Sequence, residues 1–208
     1  HIWYISNMKK FGQLNLYKTK PTIIAEAGVN HECKIDIAYK LISDAKSCGA
    51  EAIKFQTYKA NELAIKNSPA YWDLKKEKTS TQRLLFKKYD KFDIKEFKKL
   101  YLYCRKKKII FMSTLFSVEL VAKLSKYLPV LKVASADITN VPLLRAISRQ
   151  NKPILLSTGA SSEDEIKFAL KTLDIPKEQI CIMHCVLNYP TKNENANLNF
   201  ISTLKKKF

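Results

Sequence analysis

The sequence predicts an α/β fold, a (β/α)8 barrel of which about six βα units are present. Short apolar runs alternate with helical patterns, each run ends in polar residues, and no Gly-rich nucleotide-binding fingerprint follows any run. Parallel strands joined by helices form either a doubly wound sheet or a barrel. A barrel collects its active site from the ends of all its strands, whereas a doubly wound sheet uses one crevice, so the barrel is favoured. A whole barrel takes eight units and about 250 residues, which is more than the 208 present.

The first two units are separated by a long polar segment. A strand at 22–28 precedes a helix that ends at Gly49, and a second strand follows at 52–57. The polar stretch 59–92 is longer than an ordinary connection, which is typical of a functional or disordered loop. The apolar stripe predicted for the first helix consists of Ile37, Leu41, Ala45 and Cys48.

The remaining units repeat this alternation at shorter spacing. Ser117 is predicted to cap one helix, and Ser162 with Glu165 has the spacing of a capping box before another. The predicted strands are IIFMST at 109–114, LKVASAD at 131–137, PILLSTG at 153–159 and ICIMHCVLNYP at 180–190. The predicted apolar helix faces are Phe97, Leu100 and Cys104; Leu120 and Leu124; Leu143, Leu144 and Ile147; Ile166, Ala169, Leu170 and Leu173; and Leu198, Ile201 and Leu204.

Composition predicts a cytoplasmic protein with no membrane partner. Hydrophobic residues make up 46% of the chain, which is ample for a folded core, and no run approaches the ~20 apolar residues of a membrane span. The cysteines lack paired metal spacing, so they are interpreted as free thiols that fill the core in a reducing compartment. They are Cys33, Cys48, Cys104, Cys181 and Cys185.

The chain is strongly basic, with 37 Lys and Arg against 19 Asp and Glu, a net charge of +18. Nucleic acid is therefore a partner to consider. However, the lysines spread over helical segments such as 87–108 and 123–126, and no zinc-finger or RNA-binding signature accompanies them. A solvated lysine-rich surface is the favoured interpretation, with no nucleic-acid partner, and its field would also favour an anionic substrate.

Polar residues at the strand ends predict a site for an anion. Lys54 and Gln56 are two apart on a strand and share a face, which is interior in a barrel. Lys132 comes from a strand two further on, and the two ammonium groups with nearby hydroxyls would bind a phosphate and a carboxylate. Glu26 could orient or deprotonate a hydroxyl or a water. The alternative is that such lysines extend to solvent and such serines only cap helices. The hydroxyls are those of Thr114, Ser135 and Ser157.

Together these segments resemble the N-acetylneuraminate (sialic acid) synthase family, in order and spacing across nearly all of residues 22–204. Members of that family condense phosphoenolpyruvate with an N-acetylated aldose such as N-acetylmannosamine, forming a nine-carbon sialic-type acid and phosphate. Their catalytic domain is a TIM barrel, usually followed by a small antifreeze-like domain that completes the partner's site in a homodimer. The matching segments are IIAEAGVNH at 23–31, IKFQTYKANELA at 53–64, FMSTLFS at 111–117, LKVASADITNVPLLRAI at 131–147, PILLSTGA at 153–160 and HCVLNYPT at 184–191.

The resemblance also implies roles for individual residues. The catalytic residues would be Glu26, Lys54 and Asp137, of which Asp137 would lie near the reacting aldehyde. The phosphate and carboxylate of phosphoenolpyruvate would be held by Lys54, Thr114, Lys132, Ser135 and Ser157. The sugar would be contacted by Glu26, Gln56 and Tyr189, and Asn188 is a further candidate for substrate binding.

A divalent metal, Mn or Mg, is implied for the full-length family member. It would polarise the aldehyde as a Lewis acid. The two histidine ligands of the family lie beyond Phe208, so no metal ligand is expected in this chain. His31 and His184 do not correspond to those ligands and are expected to be structural.

Three hypotheses about function follow. The chain is the N-terminal part of a sialic acid synthase, or of a related enzyme making legionaminic, pseudaminic or another ulosonic acid, or it is an inactive basic fragment. The expected organisation is an N-terminal extension at 1–20 and a partial barrel at 21–208. Without the metal ligands and the last strands, the isolated chain is expected to be inactive or nearly so.

Overall fold

A computed structural model describes residues 11–16 and 20–208 of the chain. Most of the predicted N-terminal extension, 1–20, lies outside the described residues. The chain divides into two compact units, one reaching Pro129 and the other running from Val130 to Phe208. Each unit contains three parallel strands in chain order. The expected boundaries of a partial barrel at 21–208 stay a prediction.

The first unit places three strands side by side through parallel pairing. Glu26 lies opposite Lys54, and Gln56 lies opposite Thr114. These pairs bring residues from distant parts of the sequence to the same ends of neighbouring strands. The elements are β1 (Ile24–Gly28), α1 (Ile35–Ser47), β2 (Ala52–Thr57), α2 (Ala60–Leu63), α3 (Gln82–Lys88), α4 (Ile94–Lys107), β3 (Ile110–Leu115) and α5 (Val118–Leu124).

The second unit repeats the pattern with shorter strands. Lys132 lies opposite Leu155, and Ser157 lies opposite Met183. Side chains alternate across a strand, so Lys132 and Ser157 project from the same face of neighbouring strands. The elements are β4 (Leu131–Val133), α6 (Val141–Ser148), β5 (Ile154–Ser157), α7 (Glu163–Leu173), β6 (Ile180–Met183) and α8 (Phe200–Lys207).

Side-chain caps begin several helices where the sequence predicts them. The Ser117 hydroxyl accepts a hydrogen bond from the Leu120 amide at 3.4 Å at the start of α5. The Glu165 amide donates to the Ser162 hydroxyl, and the Ser162 amide donates to the Glu165 carboxylate at 2.7 Å. These bonds satisfy amides that have no partner within the helix. The predicted cap and capping box are therefore confirmed.

Most predicted apolar helix faces are buried, but the face of α1 is rotated from its predicted position. The fully buried residues of α1 are Ala38 and Ile42, each one position after the predicted Ile37 and Leu41. Cys48 is exposed because it follows the last helical residue. Successive residues on a helix are rotated by about 100°, so a shift of one residue turns the buried face considerably. The apolar residues of α1 predicted that one face is buried, but not which of the neighbouring apolar residues lie at its centre. Burial is confirmed for Phe97, Leu100, Cys104, Leu120, Leu124, Leu143, Leu144, Ile147, Ile166, Ala169 and Leu173.

Several predicted elements end or begin differently in the structure: the strand predicted at 131–137 ends at Val133, and the one predicted at 153–159 ends at Ser157. The segment 59–92 is ordered around two short helices, α2 and α3. The sixth strand stops at Met183, so Cys185 lies beyond it, although the strand was predicted to run from 180 to 190. The final helix begins at Phe200, which leaves Leu198 outside it and exposed. Ile201 is also exposed, so Leu204 is the one residue of that predicted face that is buried. After Met183 the chain makes other contacts, and His184 Nε2 donates to the Ala196 carbonyl.

Within residues 11–16 and 20–208, no helix has the length and apolar character needed to cross a membrane. All five cysteines are free thiols, but the prediction that they fill the core holds fully only for Cys104, because Cys48 is exposed and the other three are half-buried.

Candidate functional site

The first candidate cluster lies in the first unit and is built around Lys54. Its ammonium group forms an ion pair with the Glu26 carboxylate at 2.5 Å and donates to the Thr114 hydroxyl at 3.1 Å. Lys54 is buried, whereas the Glu26 side chain is half exposed. The strand register explains these contacts, because Lys54 pairs with Glu26 and its long side chain extends toward the level of Gln56 and Thr114. A buried cation with one partly solvated counter-ion is suited to accept a second anion.

A bulge at the end of β1 helps to aim the Glu26 side chain. The pairing with β2 shifts between Glu26 and Gly28, so Ala27 has no partner in the register. Gly28 has a φ of +52°, and a β-carbon there would lie 3.6 Å from Glu26 Oε1 and 4.0 Å from Gln56 Cδ. The predicted sugar-contacting side chains of Glu26 and Gln56 are thus close together. Bulges commonly redirect side chains next to binding sites.

The second candidate cluster lies in the second unit and is built around Lys132. Its ammonium group donates to Ser157 Oγ at 2.5 Å and to the Val133 carbonyl at 2.7 Å. The thiol of Cys185 also donates to Ser157 Oγ, at 3.2 Å. Lys132 and Ser157 are buried. A buried ammonium group beside hydroxyl and carbonyl oxygens, with its N–H groups directed along charge-assisted hydrogen bonds, is suited to bind an anionic ligand.

Gly159 links this cluster to the loop after β4. Its amide donates to Ser135 Oγ at 2.9 Å. A β-carbon at Gly159 would lie 3.0 Å from that oxygen and 3.3 Å from the Cys185 β-carbon. The close approach of three chain segments therefore depends on a residue without a side chain.

Asp137 lies in the short turn that follows β4. Its carboxylate accepts a hydrogen bond from the Asn140 amide group at 3.2 Å. Burial raises the pKa of Asp137 above its ordinary value, and the Asn140 hydrogen bond and the charge of Lys132 oppose this rise. A half-buried carboxyl group with a raised pKa holds a proton more readily than an exposed one, which suits it to proton transfer.

Asn188 and Tyr189 are not gathered into the Lys132 cluster. Tyr189 is 90% exposed, and Asn188 is exposed as well. The backbone carbonyl of Asn188 accepts a hydrogen bond from the Thr191 hydroxyl at 2.8 Å. Their contacts with a sugar therefore stay a prediction.

The two histidines discussed above occupy packing positions. The His31 ring is buried, stacks on Phe92 with a centroid distance of 4.4 Å, and accepts the Cys33 amide at Nδ1. His184 donates from Nε2 to the Ala196 carbonyl at 2.7 Å. Across the described ranges, no group of three or more His, Cys, Asp or Glu side chains is placed to hold a metal ion. The described residues therefore do not fit the divalent metal that the resemblance implies.

Sequence reasoning missed two parts of the second cluster. Cys185 was interpreted as a core residue, yet its thiol contacts Ser157. Gly159 was not singled out, although it brings Ser135 and Cys185 close together. The available signal was position, since both follow the end of a strand by two residues, where βα proteins place functional groups.

Parallel βα units with buried lysines and hydroxyls at the strand ends define an α/β protein whose strand ends offer groups suited to an anionic ligand. Residues 41–208 match the sequence profile of the NeuB family. The chain belongs to this family.

Three relatives show the range of the family. The N,N'-diacetyllegionaminic acid synthase of Campylobacter jejuni is 38% identical, with 91% of this chain and 58% of that protein covered. A pseudaminic acid synthase of the same species is 32% identical, with 96% and 59% covered. The crystal structure of an N-acetylneuraminic acid (sialic acid) synthetase from Leptospira borgpetersenii in complex with citrate superposes with a TM-score of 0.75. It is 34% identical, with 89% of this chain and 61% of that chain covered.

These comparisons confirm the predicted fold class and the resemblance. The six βα units form a TIM-barrel-like α/β fold of the kind found in these synthases. The chain spans just over half the length of the two curated synthases.

Proposed function

We propose that this chain carries the donor-binding part of a synthase that condenses phosphoenolpyruvate with an N-acetylated aldose. The products would be a nine-carbon sialic-type acid and phosphate. The observation that carries the proposal is the pair of buried lysines, each hydrogen-bonded to a strand-end hydroxyl, in a member of the NeuB family. Phosphoenolpyruvate carries about three negative charges near neutral pH, so preformed cationic groups favour its binding and orientation.

In this proposal the first cluster serves both substrates. Lys54 and Thr114 bind an anionic group of phosphoenolpyruvate, while Glu26 and Gln56 contact the sugar. The ion pair between Glu26 and Lys54 holds the carboxylate in place before substrate arrives. Glu26 then orients a hydroxyl or a water and can accept its proton.

The second cluster contributes the other ammonium group. Lys132, Ser157 and Ser135 bind the remaining anionic oxygens of the donor. Asp137, whose pKa is raised by burial, lies near the aldehyde. As the new C–C bond forms, its carboxyl group donates a proton to the aldehyde oxygen, which becomes a hydroxyl. Tyr189 and Asn188 contact the sugar from the segment after β6.

Titration of the chain with phosphoenolpyruvate tests the proposal. We expect Lys54→Met and Lys132→Met each to weaken binding about tenfold or more, because each removes a charge-assisted hydrogen bond. Lys40→Met is the matched control, since Lys40 forms an ion pair with Asp44 at the exposed surface of α1. Unchanged affinity in both site variants would contradict the proposal.

Combining the two lysine variants asks whether both ammonium groups bind the same molecule. If the double variant loses more or less binding free energy than the two single variants lose together, the two lysines act on the same bound molecule. The inactive-fragment hypothesis predicts instead salt-sensitive binding to a random DNA duplex and no affinity for phosphoenolpyruvate.

The identity of the sugar has a second candidate. The 38% identity with a legionaminic acid synthase favours a diacetylated aldose over N-acetylmannosamine. Incubation of the whole protein with each aldose and phosphoenolpyruvate, with the nine-carbon product identified by mass spectrometry, distinguishes them. We also propose that the whole protein uses Mn or Mg, acts as a homodimer in the cytoplasm, and has no nucleic-acid or membrane partner.

A further inference from the structure

The hydroxyl of Ser157 has both of its acceptor positions occupied. A serine hydroxyl offers two lone pairs and one proton. Lys132 donates to Ser157 Oγ at 2.5 Å, and Cys185 donates to the same oxygen at 3.2 Å. Among the described residues, Ser157 Oγ has no further partner, so its proton is directed away from Lys132 and Cys185.

The chemistry of the thiol makes this arrangement directional. Sulfur is a weak acceptor, so the Ser157 proton gains little by turning toward Cys185. Lys132 is an ammonium group and accepts nothing. With these two neighbours, the remaining proton of Ser157 suits an acceptor that approaches from outside the pair, and an anionic oxygen is the strongest such acceptor.

Local packing holds Cys185 in this position. It lies two residues beyond the end of β6, and its β-carbon would be 3.3 Å from a β-carbon at Gly159. Gly159 in turn donates its amide to Ser135. Ser135 therefore also has an acceptor position filled by an N–H donor, which leaves its proton available to a ligand.

We infer that Cys185 is a positioning residue that makes the Ser157 hydroxyl a hydrogen-bond donor to an anionic oxygen of phosphoenolpyruvate. This inference rests on the proposed function. Cys185 itself does not contact the reacting atoms. Its contribution is to remove the alternative orientation in which Ser157 would present a lone pair, and thus a repulsion, to the ligand.

The test compares Cys185→Ala, Cys185→Ser and the control Cys181→Ala by calorimetric titration with phosphoenolpyruvate. Cys181 is half-buried on β6 and has no hydrogen bond to Ser157. We expect Cys185→Ala to weaken binding about fivefold, the usual effect of one neutral hydrogen bond. Cys185→Ser should recover most of the affinity because its hydroxyl can donate to Ser157. The control should bind as the wild type does.

A chemical probe on the wild type gives a readout independent of these variants. Maleimide labelling of Cys185, measured by peptide mass spectrometry, should slow when phosphoenolpyruvate is bound, because Ser157 and the thiol are then covered. Labelling of the exposed Cys48, at the end of α1, is the internal reference and should not change.

The outcomes separate the inference from the function it depends on. If the wild type does not bind phosphoenolpyruvate, the proposed function fails, and the inference fails with it. If the wild type binds, and Cys185→Ala binds equally tightly, the inference alone is overturned. Equal losses in the alanine and serine variants would also overturn it, since packing rather than hydrogen bonding would then be responsible.

Discussion

Acid should destabilise this protein through one buried imidazole, that of His31. The ring stacks on Phe92, and its Nδ1 accepts the Cys33 amide at 3.0 Å. Nε2 is buried and has no hydrogen-bond partner among residues 11–16 and 20–208. Protonation would place a second N–H on the ring at Nδ1, which would break the bond from Cys33. Burial lowers the pKa of His31 from 6.5 to about 4.

The direction and size of the effect follow from proton uptake. Above pH 6.5 the imidazole is neutral in the folded and the unfolded chain, and it makes no pH-dependent contribution. As the pH falls below 6.5, the unfolded chain binds a proton that the folded chain does not, which favours unfolding down to about pH 4. With about 1.4 kcal/mol per pH unit, the loss is about 2 kcal/mol at pH 5 and about 3 kcal/mol at pH 4.

The assay is urea denaturation of the wild type and His31→Phe between pH 7 and pH 4.5. The phenyl ring keeps the stacking on Phe92 and cannot be protonated. We therefore expect the wild type to lose about 2 kcal/mol more free energy of unfolding than the variant does between pH 7 and pH 5. A parallel pH dependence in the two proteins would refute the reasoning.

His184→Phe is the matched control. The Nε2–H of His184 already donates to the Ala196 carbonyl, and its ring meets Phe200 edge-on at 5.7 Å. Replacing it should leave the acid sensitivity of the wild type in place. If this control removed the sensitivity instead, the assignment to His31 would be wrong.

Three further predictions concern backbone and capping positions. Gly28→Ala should lower the free energy of unfolding by about 1–2 kcal/mol in thermal melts, because φ is +52° there, and unchanged melting would contradict the assigned backbone. Gly159→Ala should weaken phosphoenolpyruvate binding severalfold in titration calorimetry, because its β-carbon would press on Ser135 Oγ at 3.0 Å; full affinity would count against this role. Ser162→Ala should cost about 1 kcal/mol in urea denaturation, and Ser162→Asp, which can still accept the Glu165 amide, should cost less.

The sequence was most informative where a structural element depends on its own neighbours in the chain. The cap at Ser117 and the capping box at Ser162 follow from residue types at fixed short spacing, and both are present. The buried face of α4 follows from the spacing of Phe97, Leu100 and Cys104. For α1 the predicted buried residues lie one position before the observed ones, Ala38 and Ile42, because adjacent apolar residues there leave the centre of the buried face undefined.

For the candidate site, the sequence identified the two lysines and their hydroxyls as residues at strand ends. It did not indicate that Lys54 forms an ion pair with Glu26, or that Cys185 donates to Ser157. The end of β6 at Met183 was also missed, and with it the position of Cys185 outside the strand.

By itself, the sequence determined the alternation of strands and helices, the family, and the residue types available for binding an anion. Tertiary structure alone decided which of those residues touch. The physical reason is that local periodicity and capping act over a few residues, whereas the contacts of Lys54 and Lys132 depend on the register between strands that lie 25 to 60 residues apart in the chain.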